Sequence, residues 1–351
     1  MTRFAVVGAG WRLGAYLRAA AAVPDRLALS AVVARRPERR ERLLAEGLFA
    51  VATLDEALAT RPDFVVTSVG WADNPGLLRE LAGRGFPVLS ETPPAPDDAE
   101  LDAIRDLAGR VQVAEQYPSQ PMHAARIALA RSGRLGEITS AQQSAAHGYH
   151  GVALLRAFLG LAGEGVEIRA VRHESPILES PGRDGPPDGD RTVPSSRTVA
   201  TLHFENGRLG TFDFSGDQYF SFVRATSVAL RGTRGEVADD DVRWALDPRT
   251  PRSGRLVRRS AGGPGNLEGL GLRSVTLGDE ELWRAPNGDL RLADDELAVL
   301  DLLLGTAAHV RDDGPAPYPL LAAIRDHRIG MAIDRAARSG ETVVLPAEVV
   351  D

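Results

Sequence analysis

The first third of the chain repeats one pattern, in which a short apolar run is followed by a stretch with helical periodicity. Apolar runs typical of buried parallel strands occupy residues 4–7, 28–33, 64–69, 87–90 and 111–114. The helical stretches lie at residues 15–22, 37–45, 75–82 and 98–107, with a further start at the Thr53–Glu56 capping box. This alternation predicts an α/β unit, a doubly wound sheet that closes near Pro121.

The pattern changes after Pro121. Strand-like runs occupy residues 138–144, 198–204, 210–214, 220–230, 235–244 and 342–345, and helices 122–130, 152–159, 293–304 and 320–339. Asn206-Gly207 is a hairpin-turn signal. Two stretches without periodicity, residues 175–197 and 247–273, are predicted to be loops because they are rich in turn residues or in Arg and Gly. A chain of 351 residues also exceeds the ~250–300 residues of one core, so we predict two domains, residues 1–120 and 121–351.

A glycine-rich turn follows the first predicted strand directly. Gly8 and Gly10 stand after the apolar run, and a small-residue helical stretch begins after Gly14. Strand, turn and helix in this order predict a dinucleotide site, in which backbone N–H groups meet a pyrophosphate. Leu13 occupies the place of the third glycine in G-x-G-x-x-G, so the motif is irregular. We predict cofactor contacts from this turn, at Gly8, Gly10, Trp11, Arg12 and Leu13.

The second predicted strand ends at Ala34-Arg35-Arg36. An NAD-preferring fold places an acidic residue near this point, to bind the ribose 2′-hydroxyl. Here that acid is absent, and an arginine can pair with a 2′-phosphate in a bidentate fork. Arg35 and Arg36 therefore favour NADP over NAD, although a solvated helix start is the alternative interpretation.

Polar and aromatic residues follow the next two predicted strands. Because the carboxyl ends of parallel strands line the ligand crevice, we predict cofactor contacts from Ser68, Trp71, Asn74, Glu91 and Thr92. A packing role for Trp71 and a capping role for Glu91 are the alternatives.

Composition excludes several classes of chemistry. The chain has no cysteine, and all 41 basic residues are arginine, so thiolate metal sites, cysteine nucleophiles and lysine Schiff bases are excluded. Scattered histidines form no metal motif, and we predict no metal. A net charge of −7 argues against a nucleic-acid partner. No apolar run is long enough for a membrane span and no leader is apparent, so we expect a cytoplasmic protein without a membrane partner.

Several motifs, in their order along the chain, resemble the Gfo/Idh/MocA oxidoreductases. The resemblance covers nearly the whole chain and is carried by V-V-G-A-G, A-V-V-A-R-R-P-E-R, V-L-S-E-T-P-P-A, S-G-R-L-G-E-I-T-S, G-Y-H-G-V-A-L-L-R-A-F-L-G and A-A-R-S-G-E-T-V-V-L. It implies an N-terminal Rossmann domain and an α+β domain with a large, mostly antiparallel sheet, whose C-terminal helices pack back towards the first domain. It also implies NADP or NAD as cofactor, a small-molecule substrate such as a sugar or cyclitol, and a homodimer or homotetramer. Gln116 falls where such proteins make polar contacts to cofactor or substrate.

The resemblance fails at residues close to the chemistry. The family usually has Glu-Lys-Pro, with a lysine that assists proton transfer, where this chain has Glu91-Thr92-Pro93. The family's Asp-x-Gly-x-His-x-x-Asp corresponds to a segment in which both acids are alanine and His150 is kept. Histidine is suited to proton transfer near neutral pH. We therefore predict His150, with the adjacent Tyr149, as the catalytic pair; the alternative is that His150 caps the following helix or hydrogen-bonds in the core.

Three functions are compatible with these residues. The first is an NADP-preferring dehydrogenase or reductase of a sugar, cyclitol or related polyol. A second is a lyase or glycosidase-like enzyme that uses a tightly bound nicotinamide transiently. The last is a non-catalytic dinucleotide-binding regulator, which the loss of the lysine and both acids would suit.

Overall fold

The first sheet is built from the apolar runs of the N-terminal third. A computed structural model describes residues 1–263, 265, 269–286, 288 and 290–350. The strands are β1 (Thr2–Val7), β2 (Leu27–Val33), β3 (Ala50–Val51), β4 (Phe64–Thr67), β5 (Val88–Ser90) and β6 (Val111–Val113). They are all parallel in the order β3-β2-β1-β4-β5-β6. This is the Rossmann order, and its switch point between β1 and β4 is where such sheets bind ligands.

Helices cover both faces of this sheet. They are α1 (Leu13–Ala21), α2 (Pro37–Ala45), α3 (Leu54–Leu58), α4 (Asn74–Gly83) and α5 (Asp98–Ala103), followed by a 3₁₀ turn at Arg105–Leu107. The predicted capping box of α3 is present, since Glu56 N–H donates to Thr53 Oγ1 and the Glu56 carboxylate accepts from Thr53 N–H.

The second sheet has eleven strands within the described ranges and is antiparallel except for one pair. Its strands are β7 (Ile138–Ser144), β8 (Val166–Leu178), β9 (Thr192–Phe204), β10 (Leu209–Ser215), β11 (Ser227–Gly232), β12 (Gly235–Ala238), β13 (Asp241–Ala245), β14 (Pro251–Ala261), β15 (Gly271–Leu277), β16 (Glu280–Arg284) and β17 (Val343–Leu345). The order is β16-β15-β14-β13-β12-β11-β7-β10-β9-β8-β17, with β7 and β10 parallel. The predicted fold class, a doubly wound domain followed by a large mostly antiparallel sheet, is confirmed.

Two predicted loops are too long. Residues 175–178 and 192–197 belong to β8 and β9, and the connection between these strands is residues 179–191. Most of 247–273 forms β14 and the start of β15, although residues 264 and 266–268 of that stretch lie outside the described residues. The exposed faces of β14 are arginine-rich, so its sequence lacks the apolar alternation that marks a half-buried strand.

The described residues form four more α-helices, α6 (Pro121–Arg131), α7 (Gly148–Leu159), α8 (Asp294–His309) and α9 (Leu320–Ser339), of which α6 joins the two sheets. The second sheet packs its apolar face on α7 and on the C-terminal part of α9. Helix α8 crosses to the first domain, where Leu300 and Leu303 are fully buried in one core with α1. Burial of each such leucine stabilises the fold by about 1.5–3 kcal/mol.

Candidate active site

The glycine turn between β1 and α1 leaves its backbone open. Gly8 has a φ of +118°, and a Cβ there would lie 2.0 Å from the Ser68 carbonyl oxygen, so only glycine fits this close approach. A Cβ on Gly10, in contrast, would meet no heavy atom within 4 Å among the described residues. The backbone at Gly10 is therefore accessible, as a pyrophosphate at the start of α1 would require. The turn fits a dinucleotide.

The two large residues of the turn point in different directions. Trp11 is 66% exposed, and the guanidinium carbon of Arg183 lies 3.9 Å from its ring centroid. Arg12 is nearly buried and pairs with Glu91 at 2.7 Å and with Asp295 at 2.6 Å. These ion pairs occupy most of the Arg12 donors, and only Nη2 has no partner within the described ranges. Arg183 is a contact that the sequence did not indicate, because it comes from the β8–β9 connection.

Glu91, at the end of β5, is held by the same network. Its Oε1 accepts from the Arg12 Nε and from the Tyr16 hydroxyl, the latter at 2.6 Å. Its Oε2 accepts from the Thr92 N–H at 3.3 Å. The carboxylate therefore braces the turn against β5 and caps no helix. The Thr92–Pro93 peptide bond that follows is cis.

Arginines gather at the end of β2. Arg35 is exposed and reaches Asp73 at 3.3 Å, while Arg36 lies exposed at the start of α2. Arg39, which the sequence analysis did not single out, donates from Nε to the carbonyl of Ala9 in the glycine turn at 3.1 Å. This edge of the sheet is cationic and solvent-accessible.

The residues after β4 serve different purposes. Ser68 donates its backbone N–H to the Val7 carbonyl, and Trp71 is half-exposed. Asn74 is buried: its Oδ1 accepts from Thr67, and its Nδ2 donates to the Ser90 hydroxyl and the Pro94 carbonyl, each bond being 2.8–2.9 Å. Asn74 therefore ties β4 to β5 through its buried amide, and its predicted contact to the cofactor stays a prediction.

A histidine and a glutamate meet where the two domains join. His150 lies in the first turn of α7, and Glu115 lies two residues beyond the end of β6. The His150 Nδ1 is 2.8 Å from Oε1 and 2.7 Å from Oε2 of Glu115, and both side chains are almost fully buried. Within the described part of the chain, the Nε2 of His150 has no hydrogen-bond partner. This nitrogen is free to meet a ligand.

The loop before α7 fixes where His150 lies. The buried Gln143 accepts from the N–H groups of Ala145 and Ala146 and donates to the Ala146 carbonyl. A Cβ on Gly151 would lie 2.3 Å from Gln143 Nε2, so this glycine lets the helix start sit directly on the loop. The histidine is thus held by strand β7 on one side and by Glu115 on the other.

Aromatic rings enclose the imidazole. The ring centroids of Tyr149, Tyr117 and His147 lie 4.4, 4.6 and 5.0 Å from that of His150. The Tyr149 hydroxyl lies near the Thr92 side chain, and the Tyr117 hydroxyl lies near that of Tyr219. Tyr219 also lies 2.6 Å from the Nδ1 of His147. The rings of Tyr149 and His150, the two predicted catalytic residues, therefore lie side by side. Tyr219 was not predicted, because its segment contains no motif.

Burial shifts the pKa values of the titratable groups in this cluster. It raises the pKa of Glu115 to about 8 and lowers the pKa of His150 to about 3. Burial also lowers the pKa of His147 to about 4. At neutral pH the two histidines are consequently uncharged.

Gln116 lies beside the cluster with an unused acceptor. It is 6% exposed, and its Oε1 has no partner among the residues that the structure describes. A buried carbonyl oxygen without a donor is costly, so it favours a ligand N–H at this place. The described residues contain no group of three or more histidine or acidic side chains that could hold a metal ion, and none of their helices is both long and apolar enough to cross a membrane.

Comparison with known proteins shows the fold. No protein-family model and no curated protein matches the chain. Among solved structures, a myo-inositol dehydrogenase from Corynebacterium glutamicum ATCC 13032 has a TM-score of 0.67 at 20% identity, covering 99% of this chain and 100% of that one. A levoglucosan dehydrogenase in complex with NADH and levoglucosan has a TM-score of 0.71 at 16% identity, covering 98% and 99%. The WlbA dehydrogenase from Bordetella pertussis, in complex with NADH and UDP-GlcNAcA, has a TM-score of 0.64 at 18% identity, covering 99% of each chain.

The chain has the fold of these dehydrogenases. The similarity extends over nearly the whole of each chain.

Proposed function

We propose that this chain is an NAD(P)-dependent oxidoreductase that acts on an alcohol or carbonyl group of a sugar, cyclitol or related polyol. The observation that carries the proposal is the free Nε2 of His150, whose imidazole lies close enough to Arg12 of the open glycine turn to feel its charge. We place the crevice for cofactor and substrate between that turn and His150. The resemblance of the motifs to Gfo/Idh/MocA oxidoreductases supports it. So do the structural neighbours crystallised with NADH and a sugar compound.

Different residues of the crevice would bind the cofactor and transfer the proton. The turn from Gly8 to Leu13 and the unpaired Gln116 Oε1 would hold a nicotinamide dinucleotide, which supplies a hydride acceptor or donor when bound. His150 would take the hydroxyl proton of an alcohol at Nε2, or return it to a carbonyl oxygen. Tyr149 and Tyr117 keep the imidazole plane fixed and exclude water from one side of it.

A substrate panel tests the function. The protein is mixed with oxidised cofactor and each member of a sugar and cyclitol panel. We expect the absorbance of reduced nicotinamide to rise with the member that is the substrate. No hydride transfer in either direction across the panel, with bound cofactor confirmed, would contradict the proposal.

We further propose that the protein prefers NADP to NAD. It is supported by the missing acid at Ala34 and by the exposed guanidinium of Arg35. Thermal-shift comparison of NAD, NADH, NADP and NADPH should show larger stabilisation with the phosphorylated pair, because bound ligand stabilises the native state. Arg35→Ala should weaken NADP binding by about tenfold and leave NAD binding unchanged, since one charge-assisted contact is worth about 1.5–3 kcal/mol. Arg42→Ala, in the helix α2 that follows Arg35, is the matched control. Equal stabilisation by both pairs would mean that Arg35 binds no 2′-phosphate.

One observation favours a second candidate. The stacking of Arg183 on Trp11 places the β8–β9 connection over the glycine turn, where it would slow the exchange of a bound dinucleotide. A retained cofactor suits a lyase or glycosidase-like enzyme that oxidises and then re-reduces the same substrate. Protein that purifies with its nucleotide and cleaves glycosides without net redox would identify this function. A non-catalytic regulator would bind the nucleotide but show neither activity.

A homodimer or homotetramer is the assembly that the resemblance implies, and sedimentation equilibrium decides between them. A cytoplasmic location stays a prediction.

A further inference from the structure

We propose that Glu115 is the proton-holding partner of His150, so that the two side chains act as one dyad in which a substrate proton accepted at Nε2 is balanced by transfer of the Nδ1 proton to the carboxylate. This inference rests on the proposed oxidoreductase function and deepens it. Glu115 is a positioning residue in this scheme, because it acts on substrate only through the imidazole.

Hydrogen bonds fix the contact between Glu115 and His150. Both carboxylate oxygens lie within 2.8 Å of Nδ1, and Oε1 also accepts the backbone N–H of Tyr117 at 3.2 Å. The second bond fixes the rotamer of Glu115 at the end of β6. Because Nδ1 is engaged, the protonation state of Glu115 determines whether Nε2 carries a hydrogen or a lone pair.

The charged groups around the Glu115–His150 pair are engaged with other partners. The charged groups that face it come from four other elements: Arg12 before α1, Glu91 after β5, Asp295 of α8 and Asp326 of α9. Arg12, the cation among them, is already paired with Glu91 and Asp295. Asp326 is paired with Arg156 and bonded to Tyr318. Other titratable groups near the pair are Tyr117, His147, Tyr149, Tyr219 and Tyr318.

Burial reverses the usual order of proton affinity within the dyad. In water an imidazole holds a proton more tightly than a carboxylate does. Here burial raises the pKa of Glu115 to about 8 and lowers the pKa of His150. A proton that enters the pair is therefore held by the carboxyl group, and no buried imidazolium has to form.

The oxidation step balances on this basis. The carbinol C–H bond breaks and its electron pair leaves with the hydrogen, as a hydride, to the oxidised nicotinamide. The hydroxyl proton goes to Nε2, the Nδ1 proton goes to a Glu115 oxygen, and the C=O bond forms. The dyad begins with a net charge of −1 and ends neutral, and reduction follows the same path in reverse.

Nitrogen NMR of the protein without cofactor or substrate tests the dyad independently of activity. The seven histidines can be labelled with ¹⁵N, and the His150 signal is assigned as the one missing from His150→Gln. Below about pH 8 the Glu115 acid donates to Nδ1 and the imidazole hydrogen is on Nε2; above it the hydrogen is on Nδ1. We expect the two ¹⁵N shifts of His150 to exchange character near pH 8.

Two variants separate this effect from a general disturbance. Glu115→Gln keeps the size of the side chain but cannot titrate, so we expect no His150 transition between pH 6 and 10. Asp240→Asn removes a carboxylate that pairs with the buried Arg126 outside the dyad, and should leave the His150 transition unchanged. A wild-type His150 that shows no transition near pH 8, or the same transition in Glu115→Gln, overturns the proposal even if the variant folds poorly.

Kinetics complete the test once a substrate is known. We expect kcat for oxidation to rise through about pH 8 in the wild type, and Glu115→Gln to lower it by about 10²-fold or more while cofactor affinity stays unchanged. Failure to find any substrate would contradict the proposed function, whereas the NMR result would still decide the state of the dyad.

Discussion

The two ends of the crevice differ most in how far water reaches them. At the nucleotide end, Trp11 is 66% exposed and the Arg35 side chain is 78% exposed. At the dyad end, the side chains of His150 and Glu115 are 8% and 2% exposed. Exposed charges such as that of Arg35 are screened by solvent, so each of their contacts contributes little and can be replaced. At the second end a missing partner leaves a buried polar group unsatisfied, so each change should have a large effect.

The largest effect is expected from the catalytic nitrogen. His150→Gln can still bond to Glu115 but has no basic nitrogen, and we expect kcat to fall by about 10²–10⁴-fold with an unchanged cofactor dissociation constant. His309→Gln, on α8, is the control, because its Nδ1 contacts only the Gly314 carbonyl at 3.3 Å. If His150→Gln were nearly as active as the wild type, the buried end would be no more sensitive to substitution than the exposed end.

The next effect tests the nucleotide end through shape alone. Gly10→Val adds a side chain where the protein leaves open space, so the fold should tolerate it and the pyrophosphate should not. We expect nucleotide affinity, measured by titration calorimetry, to fall by roughly 10²-fold or more, with stability changed by about 1 kcal/mol or less. Gly109→Val provides the comparison, because Gly109 is equally open but precedes β6 at the opposite edge of the sheet. Equal affinity in both variants would place the nucleotide elsewhere.

The pH dependence of stability follows from the buried groups. Since the pKa of Glu115 is raised from 4.5 to about 8, its contribution is fully present below pH 4.5 and is lost as the pH rises towards 8. For His123, His147 and His150 the pKa is lowered from 6.5 to about 3–4, so their contribution is present above pH 6.5 and is lost as the pH falls. Because three histidines outweigh one carboxyl group below pH 6.5, melting temperatures should be highest near pH 6.5 and fall by several degrees on either side. Glu115→Gln should remove the alkaline fall; if that fall persists, other groups cause it.

The smallest effect is expected at the exposed stack. Arg183→Ala removes the cation from the Trp11 ring, an interaction worth about 0.5–1 kcal/mol at an exposed site. We expect cofactor to dissociate about two- to fivefold faster, as measured by stopped-flow quenching of tryptophan fluorescence. Asp188→Asn, in the same β8–β9 connection, should leave the rate unchanged. A rate that does not respond to Arg183→Ala would show that the connection does not retain the nucleotide.

The sequence indicates the glycine turn more directly than the dyad. The turn at Gly8 and Gly10 is local, so strand, glycines and helix are visible within a few residues of each other. His150 was identified from its motif, but Glu115 and Tyr219 come from distant segments, and no local pattern joins them to it. The strands β8 and β14 were missed for the same reason, because pairing with distant neighbours outweighs their own turn-forming or arginine-rich composition.

A crystal structure of the protein with oxidised nicotinamide dinucleotide would examine both ends at once. We expect the pyrophosphate against the backbone at Gly10 and the nicotinamide ring on the side of His150 that exposes Nε2. A dinucleotide bound outside this crevice, or a ring separated from His150 by protein, would contradict the oxidoreductase proposed here.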